Sequence, residues 1–291
     1  MAVTGDIWRL VPLVVAMVCA SPTAAVDRTA SPASDRDPSI HGASNNGEDL
    51  TRPLNRFDLR QSYERLPDAG GLTPEKLVTT LRTDLWAGIG QGWKLYGRAD
   101  LPFVYSNDVT SSFNPNGHAR FGVGDLLTEI AILPPRLSPR LAYGFGVRAV
   151  WPTAGLNEAG QGKYQIGPLV GVRSMLPEIS PGSFFLLVAR YQNSIASRNQ
   201  NKGRPDINQL SIQPKLNLNL PSAWFVTFFA SENIQINFAD DDKLFVPFDL
   251  MVGKKLGEKL VVSLEYSREL FHGNGLEPYE WQLEGRVGYY F

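Results

Sequence analysis

The strongest constraint on the fold is the period of the apolar residues, which from residue 55 onward alternate with polar ones. In the last segment Trp281, Leu283 and Val287 share one face, whereas Gln282 and Glu284 lie on the other. A period of two is typical of β-strands, because successive side chains of a strand point to opposite faces. The alternation recurs along the chain and predicts twelve strands, at residues 55–64, 76–87, 93–105, 120–133, 140–153, 163–175, 183–195, 207–219, 223–238, 243–255, 259–270 and 279–291.

The connections between these strands alternate in kind. Tight turns rich in Gly or Pro, such as 88–92 and 134–139, alternate with longer polar connections, such as 106–119 and 196–206. Short turns on one side and longer loops on the other are typical of outer-membrane barrels, which also have an even number of strands. The sequence therefore predicts an all-β fold, a transmembrane antiparallel up-and-down barrel of about 12 strands over residues 55–291.

The start of the chain has the features of a secretory signal peptide over residues 1–25. Arg9 precedes a short apolar run, and small residues follow up to Ala25. We expect cleavage after Ala25, with Ala20 as the alternative. Residues 26–54 are poor in large apolar residues and predict a flexible periplasmic tail, because such a segment buries too little surface to offset the entropy of ordering.

The two faces of the strands have different predicted surroundings. Twelve strands enclose a barrel too wide to be filled by side chains alone, so we expect the apolar faces to contact lipid and the other faces to line a polar lumen. Aromatic residues near the strand ends, among them Trp93 and Phe184 on the turn side and Trp151 and Tyr279 on the loop side, predict two interfacial girdles. Prolines inside the predicted strands, among them Pro152 and Pro247, indicate bulges or early strand ends.

The predicted lumen contains two arcs of charge, which are our candidates for residues that set selectivity. The basic arc consists of Arg148, Arg173, Arg190 and Lys215. The acidic arc consists of Asp249, Glu265, Glu269 and Glu284. Opposed arcs would set a transverse field across a pore. They could equally pair into ion bridges that fill the lumen. The long loop at 106–119 is the candidate for an inward-folded constriction.

Two sets of motifs resemble known proteins. The alternating end at 285–291, closed by Phe291, resembles the C-terminal signal that the barrel-insertion machinery of Gram-negative bacteria reads. The second set consists of six short motifs, which are, in order along the chain, FGVGDLL at 121–127, ILPP at 132–135, WPTA at 151–154, GKYQIGP at 162–168, QP at 213–214 and LPSAW at 220–224. This series resembles the outer-membrane family named for the meta-pathway of phenol degradation, from about residue 57 to the end. The resemblance implies a porin-like, transporter-like barrel in the Gram-negative outer membrane, exported through the periplasm.

Composition and motifs argue against several other functions. The 28 basic residues nearly balance the 29 acidic ones, which disfavours nucleic-acid binding. The sequence contains no run of eighteen apolar residues and so predicts no spanning helix. The only cysteine lies in the predicted signal peptide. His118 and His272 lie in predicted loops with no serine motif beside them, and the run at 240–242 lacks the spacing of a calcium loop. We therefore predict no catalytic, cofactor or metal site.

These observations predict a passive channel for small solutes, polar, aromatic or amphipathic, rather than an enzyme. The expected partners are outer-membrane lipid, the insertion machinery and a small-molecule solute, and the oligomeric state stays open. The alternative is a lipid-active outer-membrane enzyme or a structural barrel. A soluble β-sandwich is a third hypothesis, which the alternation of short and long connections disfavours.

Overall fold

The computed structural model describes residues 45–68, 71–108, 114–198, 205–231, 234–239, 243–273 and 278–291. The signal peptide, its two candidate cleavage sites and residues 26–44 lie outside this part of the chain. Among the described residues no helix has the length and apolar character needed to cross a membrane.

Fourteen strand segments make up the fold. They are β1 (Arg56–Arg65), β2 (Glu75–Gly90), β3 (Trp93–Ser106), β4 (Arg120–Val123), β5 (Leu126–Leu133), β6 (Leu141–Trp151), β7 (Lys163–Met175), β8 (Phe184–Ser197), β9 (Asn208–Asn219), β10 (Trp224–Phe228), β11 (Ile234–Asn237), β12 (Lys243–Leu256), β13 (Leu260–Gly273) and β14 (Trp281–Tyr290).

The fourteen segments form twelve antiparallel strands closed into one barrel. Segments β4 and β5 both pair with β3 and are two parts of one crossing, as are β10 and β11, which both pair with β9 and β12. The ring closes where β1 pairs with β14, from Arg56 opposite Tyr290 to Arg65 opposite Trp281. The predicted all-β barrel of twelve strands is confirmed.

The connections have the predicted asymmetry, and we call their two sides the turn side and the loop side. The β2–β3 turn is tight because Gly90, Gln91 and Gly92 all adopt positive φ values. Two prolines act as expected, since β6 ends at Trp151 before Pro152 and the pairing of β12 with β13 shifts register beside Pro247. Three others, Pro102, Pro168 and Pro214, lie inside β3, β7 and β9 and do not end these strands.

The inward and outward faces of each strand are clearly different, as β8 illustrates. Leu186 and Arg190 are buried inside the barrel, at 0% and 2% exposure, whereas Phe185 and Leu187 face outward at 37% and 43%. Large apolar side chains cover the outside of the other strands in the same way. Most charged side chains of the strands therefore lie inside, as a lipid-facing surface requires, whereas Arg120 of β4 and Arg268 of β13 are exposed.

The predicted aromatic girdles are present in part. Trp93 and Trp224 are exposed on the turn side, and Trp151 on the loop side. Phe184 and Tyr279 differ from the prediction, because both are buried inside the barrel at 1% and 5% exposure. The register of β8 turns Phe184 inward beside Leu186, and Tyr279 bonds with Ser267 and packs edge-on against Phe245.

Residues 45–54, which we call the inner segment, lie within the barrel rather than away from it. Asn46, Glu48 and Asp49 are at most 4% exposed, and their partners are residues of the barrel wall. This part of the predicted flexible tail is therefore ordered, because its polar groups bond to lumen side chains, which composition does not reveal.

The outer face should tolerate charge only near its rims. Leu264 faces outward near the middle of β13, and Leu256 faces outward at the turn-side end of β12. We expect Leu264→Arg to lower the free energy of unfolding in lipid vesicles by about 2–4 kcal/mol and the control Leu256→Arg by about 0–1 kcal/mol. Urea titration measures both. Equal losses would contradict a lipid-facing band centred on Leu264.

Candidate functional site

The lumen wall formed by β1, β2 and β3 has a network of alternating charges. Asp84 accepts hydrogen bonds from Arg56 at 2.5 Å and Arg98 at 2.9 Å, and Arg82 binds Asp100 through two nitrogens at 2.5 and 2.7 Å. Each of these pairs lies directly opposite in the strand register. The network thus follows from period-two patterning, which places opposite charges across neighbouring strands on one face.

The network continues across the closing seam into β14. Asp58 lies 3.1 Å from Arg286 and 3.3 Å from Arg60, and Arg60 also pairs with Glu284 at 3.1 Å. This wall therefore compensates most of its own charge, and Glu284 of the predicted acidic arc belongs to it.

Half of the predicted basic arc is compensated by a wall residue outside both arcs. Glu129 on β5 lies 2.8 Å from Arg148 and 3.7 Å from Arg190, and all three side chains are buried. Arg190 also donates to Gln213 at 3.2 Å. These two arginines thus belong to a packed ion cluster.

The other half of the basic arc contacts the inner segment. Lys215 donates from Nζ to Oε2 of Glu48 at 2.7 Å. Arg173 lies 3.6 Å from a carboxylate oxygen of Asp49 and donates to Oγ1 of Thr51 at 3.1 Å. Both cations are therefore bound by a part of the chain that precedes the barrel.

Local sequence shapes the inner segment through a series of side-chain-to-backbone turns. The side-chain oxygens of Asn45, Asn46 and Asp49 accept hydrogen bonds from the N–H groups two residues later, at 3.0, 3.1 and 2.9 Å. Gly47 has a φ of 78°, and a Cβ there would lie 2.7 Å from the Arg56 guanidinium. The position therefore favours glycine on both conformational and steric grounds.

Further contacts fix the inner segment to both sides of the lumen on the turn side. The second oxygen of Glu48 accepts from Arg286, and the carbonyl of Asn46 accepts from the Tyr290 hydroxyl at 2.5 Å. On the other side, Asn46 donates to Asn217 at 2.9 Å. The segment therefore crosses the lumen between β14 and β9.

Two leucines add apolar contacts to these polar ones. Leu50 packs against the buried cluster of β7 and β8 that includes Phe184 and Leu186, and Leu54 packs against the cluster that includes Phe225 and Tyr290. The turn-side half of the lumen is therefore partly apolar, whereas the sequence predicted a polar lumen throughout.

The rest of the acidic arc is distributed over the lumen and its rim. Asp249 accepts from the Ser267 hydroxyl and Glu265 from the Ser231 hydroxyl, both inside the barrel. Glu269 lies near the loop-side end of β13, where it contacts His272. The influence of the two arcs on selectivity stays a prediction.

Two polar cavities lie in the lumen. The first, of about 250 Å³, adjoins the inner segment and is lined by Glu48, Arg190, Lys215 and Glu284 among others. The second, of about 430 Å³, is rich in amide side chains, and its lining includes Gln161, Gln165, Gln192, Gln209 and Gln235. The barrel therefore encloses polar space of the size of small solutes.

The loop at 152–162, between β6 and β7, narrows the second cavity. Its backbone N–H groups at Ala154 and Gln161 donate to Asp125 at 3.0 and 2.6 Å, in the gap between β4 and β5. The side chain of Leu156 packs against Gly122, in space that a Cβ atom at this position would occupy. The loop at 106–119, our predicted constriction, is described only in part, so its role stays a prediction.

Sequence reasoning missed two parts of this site, the inner segment and the loop at 152–162. The consecutive Asx-turn residues at 45–49 were a local signal of order, but nothing in the sequence pairs Glu48 with Lys215. Among the described residues no cluster of three metal-ligating side chains exists, and the acidic run at 240–242 lies outside them.

The ionisation of Glu48, which lies outside the strands, is controlled by its surroundings. Burial opposes the charged form, but the positive charges of Lys215 and Arg286 outweigh it and hold the pKa of this carboxyl well below its usual value. The Glu48 side chain is therefore an ionised carboxylate at neutral pH when the inner segment lies in the lumen.

Comparison with known proteins supports the fold. An outer membrane channel from Pseudomonas putida F1 superimposes with a TM-score of 0.60 at 17% identity, covering 85% of this chain and 99% of that chain. The NanC porin has a TM-score of 0.48 at 13% identity, over 81% of this chain and 98% of its own. No family model matches the chain, and no curated protein sequence matches it. The chain thus has the barrel fold of the Pseudomonas putida F1 channel.

The low pKa of Glu48 predicts how the inner segment responds to acid. Because the folded pKa lies below the usual 4.5, the ion pairs stabilise the bound segment fully above that value and are lost only as the pH falls through the lower, folded pKa. We expect amide hydrogen exchange at 46–51, corrected for intrinsic rates, to be equally slow from about pH 7 to about pH 5. Marked acceleration within this range would contradict the assignment.

Proposed function

We propose that the protein is an outer-membrane channel that passes small polar solutes by passive diffusion. The observation that supports this most is the pair of polar cavities, of about 250 and 430 Å³, inside one closed barrel with an apolar exterior. Selectivity would come from the width of the lumen and the charges and amides of its walls.

The proposed location follows from the signal peptide and the outer surface. We infer export through the periplasm, insertion by the barrel machinery through the C-terminal strand that ends at Phe291, and contact with outer-membrane lipid. The turn side, where Arg56 and Tyr290 begin and end the barrel, would face the periplasm. The inner segment would then occupy the periplasmic half of the lumen.

The motif resemblance leads to a finer hypothesis about the solute. If the chain shares the role of the family named for phenol degradation, small aromatic or amphipathic solutes would be among those it passes. The polar lining of the larger cavity favours solutes with hydrogen-bonding groups over purely apolar ones. A lipid-active enzyme, the alternative, would instead need His118 or His272 for turnover of phospholipid.

Planar-bilayer recording tests the channel proposal. We expect the purified chain to produce ion-conducting steps, and His118→Ala and His272→Ala to leave them unchanged. Absence of current from the wild type, and also from a variant lacking residues 45–52, would contradict the proposal.

The charge of the cavity walls should affect ion preference. Arg190 lines the smaller cavity, so Arg190→Gln removes a positive charge beside the path and should shift the reversal potential in a KCl gradient toward that of K⁺. Arg140→Gln is the matched control, because Arg140 is exposed in a turn and pairs with Glu178. Equal reversal potentials for the two variants would mean that the charge of Arg190 does not affect ion preference.

A further inference from the structure

Two cations of the lumen depend on the inner segment for their partners. Among the described residues, every ion pair and side-chain hydrogen bond of Lys215 and Arg173 is made to residues 48–51. Both side chains are buried, and the second terminal nitrogen of Arg173 has no partner there. Removing the inner segment would therefore take from these two buried cations the carboxylates that contact them, a costly change unless another anion replaces them.

The inner segment contacts the wall as a ligand would. It forms no strand pairing with the barrel, and it joins the barrel covalently only through Asn55 at the start of β1. Its specific contacts are two adjacent carboxylates, an amide and a few carbonyls, and its apolar contacts are those of Leu50 and Leu54. Such an attachment can be released without breaking the sheet.

The cations around Glu48 have the geometry of a carboxylate site. Each oxygen of this carboxylate contacts a different cation, Lys215 from β9 and Arg286 from β14. The adjacent carboxylate of Asp49 reaches the third cation, Arg173. The carboxyl carbons of Glu48 and Asp49 are eight covalent bonds apart, so a solute with two carboxylates at that separation offers the same charges to the same three groups.

We propose that Lys215, Arg286 and Arg173 form a binding site for small dicarboxylates, which Glu48 and Asp49 occupy in the closed state, so that the inner segment is a plug displaced by anionic solutes. This inference rests on the proposed channel function and gives it a solute class. Displacement would join the smaller cavity to the turn-side end of the barrel and expose a basic wall, so the open pore would prefer anions.

The decisive variant removes the charges of the plug and keeps its size. Glu48→Gln with Asp49→Asn should weaken the closed state, because hydrogen bonds to charged groups contribute more than neutral ones, and we expect an open fraction about tenfold higher. The matched control is Glu178→Gln with Asp206→Asn, two carboxylates at 58% and 81% exposure outside the lumen. Heat-modifiable migration on a gel verifies that each variant folds.

A second variant weakens the plug without altering its charge. Gly47→Ala forces a side chain into a left-handed conformation and against Arg56, so it should also raise the open fraction. Azelate, a linear dicarboxylate whose carboxyl carbons are also eight bonds apart, is the probe for the ligand class. In the wild type it should raise the open fraction and accelerate amide exchange at 46–51, whereas choline chloride at equal ionic strength should do neither.

The outcomes separate this inference from the channel proposal. If the wild type conducts but neither plug variant conducts more, and azelate has no effect, the plug and its site are refuted while the channel stands. If the variants open the pore but azelate alters neither current nor exchange, the dicarboxylate site is refuted. If no form of the chain conducts, both proposals are refuted. Opening by azelate that is lost in Lys215→Gln, with an anion preference in the open state, supports the inference.

Discussion

The rest of the structure depends on closure of one hydrogen-bonded sheet. Pairing of β1 with β14 closes the sheet into a ring, so each of the twelve crossings pairs with a neighbour on both sides. An unpaired backbone group is costly in hydrocarbon, which makes closure a requirement. Closure also separates two environments, an apolar outside and an inside that contains most of the charges of the strands.

The charges inside the barrel are compensated first by ion pairs between neighbouring strands. The walls of β1 to β3 and β14 alternate arginines with aspartates across neighbouring strands, and Glu129 compensates Arg148 and Arg190. Such pairs join neighbouring strands of the wall, and whether the two predicted arcs set selectivity stays a prediction. Lys215 and Arg173 differ, since their carboxylate partners come from the inner segment. Charge balance in the lumen therefore determines where the chain before β1 lies.

Much of the barrel was predictable because strand patterning is local. All twelve crossings, the alternating connections, the inward charges and the effects of Pro152 and Pro247 follow from period two, loop length and proline chemistry. The predicted strand at 120–133 is divided into β4 and β5 at 124–125, where the alternation breaks, since odd-numbered residues are exposed in β4 and, from Glu129 onward, buried in β5. The predicted strand at 223–238 is divided into β10 and β11. Phe184 was misassigned because a rim position does not reveal which face a side chain takes.

The sequence by itself determined the fold class, the number of crossings and the division of each strand into an apolar and a charged face, because these depend on neighbours along the chain. Only the tertiary structure decided which charges meet. Residues 48 and 215 are far apart in sequence, and the composition of 26–54 predicted no order. Ring closure brings Lys215 and Arg286 close enough for one carboxylate to contact both, and a segment that composition describes as a tail becomes part of the lumen.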